Sequence, residues 1–260
     1  MGTDRYAYAS RLRRVDAVPK LWLTLGSLVL CISCDSAAVG LVTLVLMGAL
    51  TVALGGQKPA VLLRFLRLPL AFLAVGCLPI VLRPLPAGEG ALWAAELFGR
   101  VRWGITAEYL RMGLMVVCKA MGAVAAMYFL SLNTPMTDLT QALGRLHVPK
   151  LLVELMELIY RFLFVFSDTA RRIRVAQESR LGYQTPRRSL RSMGELVSSL
   201  FLRAWRQADR SYTALESRGY TGSLDTLPAL RTPGRWLYGV LAAVAAVQIL
   251  TWMAERSWLQ

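Results

Sequence analysis

Two short segments of the sequence nearly repeat each other and carry the side chains best suited to bind a partner. They are Ala176-Gln-Glu-Ser-Arg-Leu-Gly-Tyr183 and Ala214-Leu-Glu-Ser-Arg-Gly-Tyr220, which share Ala-x-Glu-Ser-Arg followed by Gly and Tyr. The guanidinium groups of Arg180 and Arg218 each present five donors in a rigid fork, which pairs well with carboxylates or backbone carbonyls. The repeated motif therefore predicts docking into a pocket on another protein.

Each copy lies at the end of a predicted helix. Glycine commonly adopts the left-handed conformation just after a helix terminus, so Gly182 and Gly219 predict that each arginine occupies the last turn, beside the negative end of the helix dipole. For one copy alone, capping of its own helix is the commoner role of such an arginine. Two near-identical copies favour two equivalent partner surfaces, as a protein that grips a dimer or pseudodimer would need.

Other residue types that could do chemistry give weak signals. Cys31-x-x-Cys34 has a redox or half-zinc spacing, but no second pair follows it, and thiols in apolar runs behave as small hydrophobes. His147 is the only histidine and has no carboxylate or thiol at ligand spacing. The sequence has no glycine-rich phosphate loop and no set of nucleophile, base and orienting residue. We therefore expect neither a metal site nor an enzyme.

The composition favours a membrane protein. Of the 260 residues, 55% are hydrophobic, and the mean hydropathy is +0.46. An ordinary soluble domain is about 45–50% apolar. The net charge is +14, but the basic residues follow predicted loops and helix ends instead of forming one continuous patch, which argues against nucleic-acid binding.

Apolar runs predict an all-α integral membrane protein with about five transmembrane helices. The runs are Leu21–Cys34, Ala37–Leu54, Ala60–Leu82, Trp103–Leu130 and Trp236–Trp252. The first two are short and separated only by Asp35-Ser36, which predicts a helical hairpin. A charge within a span is a functional candidate by default. Lys119 in the fourth run therefore indicates either a subunit interface or a later start of that span.

The distribution of Lys and Arg predicts which segments face the cytoplasm. The N-terminal twenty residues, the loop Gly55–Arg67 and the segment Pro135–Arg235 are basic, whereas the loop Arg83–Arg102 is nearly balanced and is expected outside. We therefore predict three regions in a bacterial inner membrane protein. They are residues 1–134 with the N-terminal tail and four spans, 135–235 with cytoplasmic coupling helices, and 236–260 with the last span.

The predicted cytoplasmic region has the pattern of long amphipathic helices. In Arg188–Arg218 the apolar residues recur at three- and four-residue intervals on one stripe, which includes Leu200, Phe201 and Trp205. The preceding segment, Lys150–Arg180, is apolar nearly all round in its first half and charged in its second. This change predicts a helix that starts at the membrane boundary and projects into the cytosol.

These motifs resemble those of the T components of energy-coupling-factor (ECF) ABC transporters. Ser179-Arg180-Leu181 and Ser217-Arg218-Gly219 are similar to the two X-Arg-X coupling motifs of that family. Leu181 departs from the small residue common after the first arginine. Further segments resemble the cobalt-type subfamily, CbiQ, and are Asp4–Asp16 with Pro19-Lys20, Asn133-Thr-Pro135, Ala142–Pro149 and Tyr160-Arg161-Phe162.

The resemblance implies a coupling subunit that binds neither ATP nor the transported solute. Its expected partners are two ABC ATPase subunits, a membrane substrate-binding (S) subunit with an optional small accessory membrane subunit, and the lipid bilayer. ATP and Mg²⁺ would be bound by the ATPases and cobalt or nickel by the S subunit, so no cofactor is expected in this chain. The interface candidates are Pro135, Pro149, Tyr160, Arg161, Leu200, Phe201 and Trp205.

A self-contained secondary transporter or channel is the main alternative. It predicts inverted repeats and polar residues at mid-bilayer, of which the sequence has little beyond Lys119. Such a protein would transport ions when reconstituted alone.

Overall fold

A computed structural model describes residues 2–84, 93–97, 101–220 and 231–258 of the chain. Its helices are α1 (Gly2–Ala9), a 3-10 turn (Arg11–Arg14), α2 (Ala17–Ser33), α3 (Ala37–Ala53), α4 (Pro59–Val81), α5 (Ala107–Asn133), α6 (Met136–Arg145), α7 (Lys150–Ser179), α8 (Pro186–Glu216) and α9 (Trp236–Trp258). The predicted all-α class is confirmed, with one small exception. Three short strands, β1 (Arg83–Pro84), β2 (Trp93–Leu97) and β3 (Val101–Ile105), pair antiparallel in the order β1-β3-β2.

Apolar helices occupy all five predicted spans. By length and composition α4, α5 and α9 can each cross a membrane, and α2 and α3 are shorter apolar helices of 17 residues each. Seventeen residues rise about 26 Å, at the short end of the range for a span. The start predicted for the fourth span is wrong, because Trp103 pairs within the sheet and α5 begins only at Ala107. The rest of the predicted loop, 85–92 and 98–100, lies outside the described residues.

The chain divides into two compact units. One is Met1–Leu139 with Leu230–Gln260, and the other is Thr140–Ala229. The first unit holds the five apolar helices, and the second holds α7 and α8. The predicted assignment of residues 135–235 to the cytoplasm stays a prediction.

Helices α3 and α5 cross in close contact because a glycine stands on each at the crossing. A Cβ added at Gly40 would lie 2.5 Å from the carbonyl carbon of Cys118, and one at Gly122 would lie 2.6 Å from the carbonyl oxygen of Gly40. Small residues allow helix backbones to approach in this way in membrane proteins. The buried apolar core of the unit comprises Leu12, Leu23, Met47, Ala125, Ala126, Phe129, Leu237 and Val244.

Buried polar side chains connect the helices of the first unit. The Gln248 amide nitrogen donates to the Ser27 carbonyl at 3.2 Å and so links α9 to α2. Where α2 begins, the Lys20 ammonium donates to the carbonyls of Leu12 at 3.1 Å and Asn133 at 3.3 Å. Hydrogen bonds of this kind hold helices together where water is scarce.

Lys119 pairs with the turn between α2 and α3. Its Nζ lies 2.7 Å from Asp35 Oδ1, and the Asp35 side chain is 83% exposed. The adjoining Ser36 hydroxyl donates to the Glu255 carboxylate on α9. Lys119 lies about 18 Å along the axis of α5 from the start of this helix at Ala107. Helix α5 therefore continues well past the level of the α2–α3 turn. The two alternatives for this residue, a subunit interface or a later start of the span, stay predictions.

Candidate functional site

The C-terminal ends of α7 and α8 have the same backbone hydrogen bonds. In each, three consecutive amides, beginning with that of the arginine, donate to the carbonyls three, three and five residues earlier. This pattern is the Schellman motif, which satisfies the last carbonyls of a helix. The bonds are Arg180 to Gln177 (3.2 Å), Leu181 to Glu178 (2.9 Å), Gly182 to Gln177 (2.9 Å), Arg218 to Leu215 (3.0 Å), Gly219 to Glu216 (3.0 Å) and Tyr220 to Leu215 (3.1 Å).

The two ends differ in the residue that adopts the left-handed conformation. Gly219 has φ +75°, as the sequence predicts, but at the first end Leu181 has φ 61°, so the prediction of a left-handed Gly182 is wrong. Gly182 is required for space, because an added Cβ would lie 2.6 Å from Ser192 Oγ. A side chain at positive φ is strained, so the first end carries a cost that the second avoids.

The first end packs against the start of α8. The Gln177 side-chain amide donates to the Ser192 carbonyl at 2.8 Å, and the Ser192 hydroxyl donates to the Gly182 carbonyl at 3.0 Å. The Tyr183 hydroxyl donates to Gln177 Oε1 at 2.9 Å. One arginine is thus fixed beside the N-terminus of α8 and the other follows its C-terminus. Helix α8 has 31 residues, which corresponds to a length of about 46 Å.

Both arginine side chains are available to a partner. Arg180 and Arg218 are exposed, and neither has an ion pair or a side-chain hydrogen bond with another residue that the structure describes. The serine before each arginine donates back to the carbonyl four residues earlier, at 3.0 Å for Ser179 and 2.9 Å for Ser217. Within the described chain, therefore, the helix ends are closed by backbone amides and serine hydroxyls, not by the guanidinium groups.

An apolar cleft of about 530 Å³ lies between α7 and α8, next to the second arginine end. Leu215 forms part of its wall and also accepts two of the backbone bonds that close α8. A hydrogen bond to Glu216 raises the pKa of Tyr212, another lining residue. The remaining lining residues are Leu158, Ile159, Phe162, Leu163, Phe166, Ala208 and Ser211.

The predicted interface residues of α8 form an exposed aromatic patch. Phe201 and Trp205 are 64% and 68% exposed, and their ring centroids lie 6.3 Å apart. Leu200 beside them is half-buried. Large aromatic side chains are not usually left exposed together on a surface without a partner.

The other interface candidates differ in their exposure. Arg161 is exposed on α7, while Tyr160 is half-buried with its ring edge-on to that of Phe164 at 5.0 Å. Pro149 is exposed just before α7, whereas Pro135 is buried in the first unit. A shared partner surface for these residues stays a prediction.

Sequence reasoning missed a buried ion pair near the junctions of the two units. Arg231 Nη2 lies 2.6 Å from Asp138 Oδ1, and the Asp138 side chain is 5% exposed. The fully buried Lys20 ammonium interacts electrostatically with the same carboxylate. The only local signal was Asp138 itself, an acidic residue in the first turn of the short helix α6. Nothing in the sequence links position 138 to position 231.

The described residues include no group of three or more His, Cys, Asp or Glu side chains that could hold a metal ion. His147 is exposed, with φ 63°, in the connection between α6 and α7. Cys31 is buried and Cys34 is half-buried, both with free thiols.

Known proteins match nearly the whole chain. The profile of the family described as CbiQ, cobalt transport protein, matches residues 9–229. The cobalt transport protein CbiQ of Rhodobacter capsulatus is 29% identical over 255 residues, which cover 95% of this chain and 97% of that protein. CbiQ of Salmonella typhimurium is 29% identical over 225 residues, covering 85% and 97%. A putative fused cobalt transport protein CbiMQ of Methanocorpusculum labreanum is 30% identical over 221 residues, which are 85% of this chain and 37% of the fused protein.

Proposed function

Because the chain belongs to the CbiQ family of cobalt transport proteins, we propose that it is the transmembrane coupling subunit of an ECF-type ABC importer for cobalt or nickel. Two ATPase subunits bind the helix ends at Arg180 and Arg218, and a separate membrane subunit binds the metal ion. ATP and Mg²⁺ belong to the ATPases. This chain transmits their movement and holds no cofactor of its own.

One observation carries the proposal: two exposed arginines stand on helix ends of the same backbone geometry. The hydrogen-bonded turn beneath each arginine is already closed, so little backbone ordering remains to be done when a partner binds. A guanidinium fits a pocket lined by carboxylates or carbonyls. Two equivalent ends suit two copies of one partner, such as a symmetric pair of ATPase subunits.

The length of α8 supports the same partner. The first end contacts Ser192 and the second follows Glu216, so the two ends are separated by about 24 residues of α8, or about 36 Å, close to the width of a domain of about 130 residues. The two ends can therefore reach two adjacent globular subunits, one end on each subunit. A single small partner could not occupy both.

The exposed apolar side chains of the second unit support a contact with the metal-binding membrane subunit. Phe201 and Trp205 are aromatic residues of the type that anchors protein interfaces. The fused relative named CbiMQ supports association of this chain with another membrane transport subunit. We propose that this patch takes up that contact while the arginine ends hold the ATPases.

The proposed orientation places α7 and α8 on the cytoplasmic side of a bacterial inner membrane. ATPases act there, and the excess of Lys and Arg between 135 and 235 favours the same side. ATP-driven closure of the ATPase pair moves the two helix ends, and the movement reaches the metal-binding subunit through α7 and α8. The consequence is reorientation of that subunit and release of the metal ion inside.

The proposal is tested by reversing the charge at both helix ends. Arg180→Glu and Arg218→Glu, singly and together, are co-expressed with the ATPase and metal-binding subunits, and ATPase co-purification and metal uptake are measured. Removal of one partner from a buried charge pair at an interface costs about 2–5 kcal/mol. We therefore expect the double variant to co-purify with at least about tenfold less ATPase than the unmodified protein does.

Arg203→Glu/Arg206→Glu is the matched control, because both arginines are exposed on α8 but lie away from its ends. We expect it to assemble and transport like the unmodified protein. Full assembly and uptake by the Arg180/Arg218 double variant would contradict the proposal.

A further inference from the structure

A groove on the first unit is apolar except for one positively charged lining residue. Its volume is about 390 Å³, and it lies between α3, α4 and α5. Arg67 is the single charged residue among those lining it. The remaining lining residues are Leu41, Leu44, Leu63, Leu66, Leu70, Val117, Cys118 and Met121.

A second arginine stands one turn away on the same face of α4. Arg64 and Arg67 are both exposed, and neither pairs with an acidic residue in the part of the chain that the structure describes. Side chains on a helix lean toward its N-terminus. Both cations are therefore carried toward Pro59, at the start of α4, and away from Leu70 at the other end of the α4 lining.

An aromatic cluster indicates that this end of α4 lies at the membrane surface. Phe65 packs edge-on against Tyr6 at 5.9 Å and beside Tyr128 at 5.7 Å between ring centroids. The Tyr128 hydroxyl donates to the Phe65 carbonyl at 3.3 Å. Tyrosine is enriched at the boundary between hydrocarbon and headgroups. Arg64 and Arg67 flank Phe65, so their guanidinium groups reach headgroup depth by extending toward the boundary.

The groove extends over about two thirds of one leaflet. Its lining on α4 runs from Leu63 to Leu70, about 10 Å along the helix, whereas half of a bilayer's hydrocarbon core is about 15 Å thick. Leu41 and Val117 continue the apolar wall on the neighbouring helices. An acyl chain that starts at Arg64 would have about 9 Å of apolar wall along α4 for its first methylenes.

We propose that this groove is a binding site for an anionic phospholipid, whose phosphate contacts Arg64 and Arg67 and whose acyl chain lies along Leu66 and Leu70. Clusters of basic residues at membrane depth attract anionic headgroups, whereas a zwitterionic lipid gains much less from them. A transmembrane helix of a partner is a poorer occupant, because it would have to provide an acidic residue for two arginines inside the bilayer.

The lipid is identified by native mass spectrometry. The whole chain is reconstituted in vesicles of phosphatidylcholine and phosphatidylglycerol, extracted in mild detergent, and the lipids that stay bound are counted. We expect phosphatidylglycerol to be retained in preference. Arg64→Gln/Arg67→Gln should lower its retention by roughly fivefold for each charge removed, and Arg203→Gln/Arg206→Gln, on α8, should leave it unchanged.

A second variant keeps both cations and fills the groove. Leu66→Trp should also reduce retention of phosphatidylglycerol, with thermal unfolding in detergent used to show that the protein remains folded. Equal retention of the two lipids, or retention that is insensitive to Arg64→Gln/Arg67→Gln, would overturn the proposal. So would a photo-crosslinker at Leu63 that captures a protein subunit of the assembled complex in place of lipid.

Discussion

Asp138 and Arg231 form an ion pair of 2.6 Å close to the two points where the chain passes between its compact units. The neighbouring Thr232 pairs with the segment before α2, where its amide donates to the Arg14 carbonyl at 2.9 Å and its carbonyl accepts from the Asp16 amide at 3.1 Å. The outgoing and returning segments of the chain are therefore fastened to each other and to the N-terminal segment.

Removal of the acidic partner should destabilise the first unit. Asp138→Asn leaves Arg231 and the buried Lys20 without their carboxylate, and loss of one partner from a buried pair costs about 3–5 kcal/mol. The Arg231 side chain is 20% exposed, so we expect the lower end of this range. Asp138→Asn should reduce the free energy of unfolding by about 3 kcal/mol, measured by denaturant unfolding in micelles.

Asp168→Asn provides the comparison for that measurement. Its carboxylate forms an exposed pair with Arg172 on α7, and such surface pairs contribute about 0.5 kcal/mol or less. Similar losses from Asp138→Asn and Asp168→Asn would show that the junction pair has no special role in stability.

The crossing of α3 and α5 should not tolerate a methyl group. Gly122→Ala places a Cβ 2.6 Å from the Gly40 carbonyl oxygen, and overpacking of this kind costs about 1–3 kcal/mol. Gly239→Ala on α9 is the control, because its Cβ would meet no atom within 4 Å. That change should be neutral or stabilising by up to about 1 kcal/mol through helix propensity. Equal unfolding free energies for the two variants would refute this account of the crossing.

The first arginine end should respond in opposite directions to two adjacent substitutions. Leu181→Gly relieves a side chain at φ 61°, and we expect a gain of about 0.5 kcal/mol after the added entropy of the unfolded chain. Gly182→Ala drives a Cβ against Ser192 Oγ, and should cost about 1–3 kcal/mol. Amide hydrogen exchange at 177–183 reports both changes, and slower exchange in the Gly182→Ala variant would be incompatible with the contact described.

Acid should release the ion pair at the α2–α3 turn. A hydrogen bond from Lys119, together with its charge, holds the pKa of Asp35 below its ordinary value. The pair's contribution is present above the unfolded-state pKa of about 3.9 and disappears as the pH falls through the lower folded-state pKa.

Lys119→Gln should therefore raise the titration midpoint of Asp35 toward about 3.9. The measurement is a carboxyl ¹³C titration, with Asp35→Asn used to assign the resonance. Arg111→Gln, on the same helix, serves as the charge control and should leave the midpoint in place. An unchanged midpoint in Lys119→Gln would rule out the pairing.

Helix positions in the first unit were largely predictable, because a long apolar run bounded by polar residues has few structures other than a spanning helix. The predicted break at Asp35-Ser36 agrees with the start of α3 at Ala37, where the Ser36 hydroxyl accepts from the Val39 amide. The start of α5 was missed for a physical reason. Trp103 and Ile105 are apolar and extend the run, and hydropathy alone does not distinguish a short strand from a helix.

The ends of α7 and α8 were predictable because a helix terminus has a local signature of basic residue, glycine and stop. In both copies the left-handed residue is the one directly after the arginine, which is Leu181 in the first and Gly219 in the second, so Gly182 comes one position too late. By contrast, the pairs of Lys119 with Asp35 and of Asp138 with Arg231 depend on which helices meet in space. A single sequence, taken without an alignment of related sequences, contains no pattern that identifies which helices are in contact.

Helix α8 is continuous from Pro186 to Glu216, and its only proline is at its first position. An unbroken helix resists stretching because every added ångström strains the whole ladder of backbone hydrogen bonds. The separation of the two arginine ends is therefore a fixed length of the molecule. Two partner subunits bound at the two ends of α8 cannot move apart or together along the helix axis while the helix keeps its direction. Any change in the distance between them must tilt α8 or release one end, so a linear movement of the partners becomes a rotation of the helix.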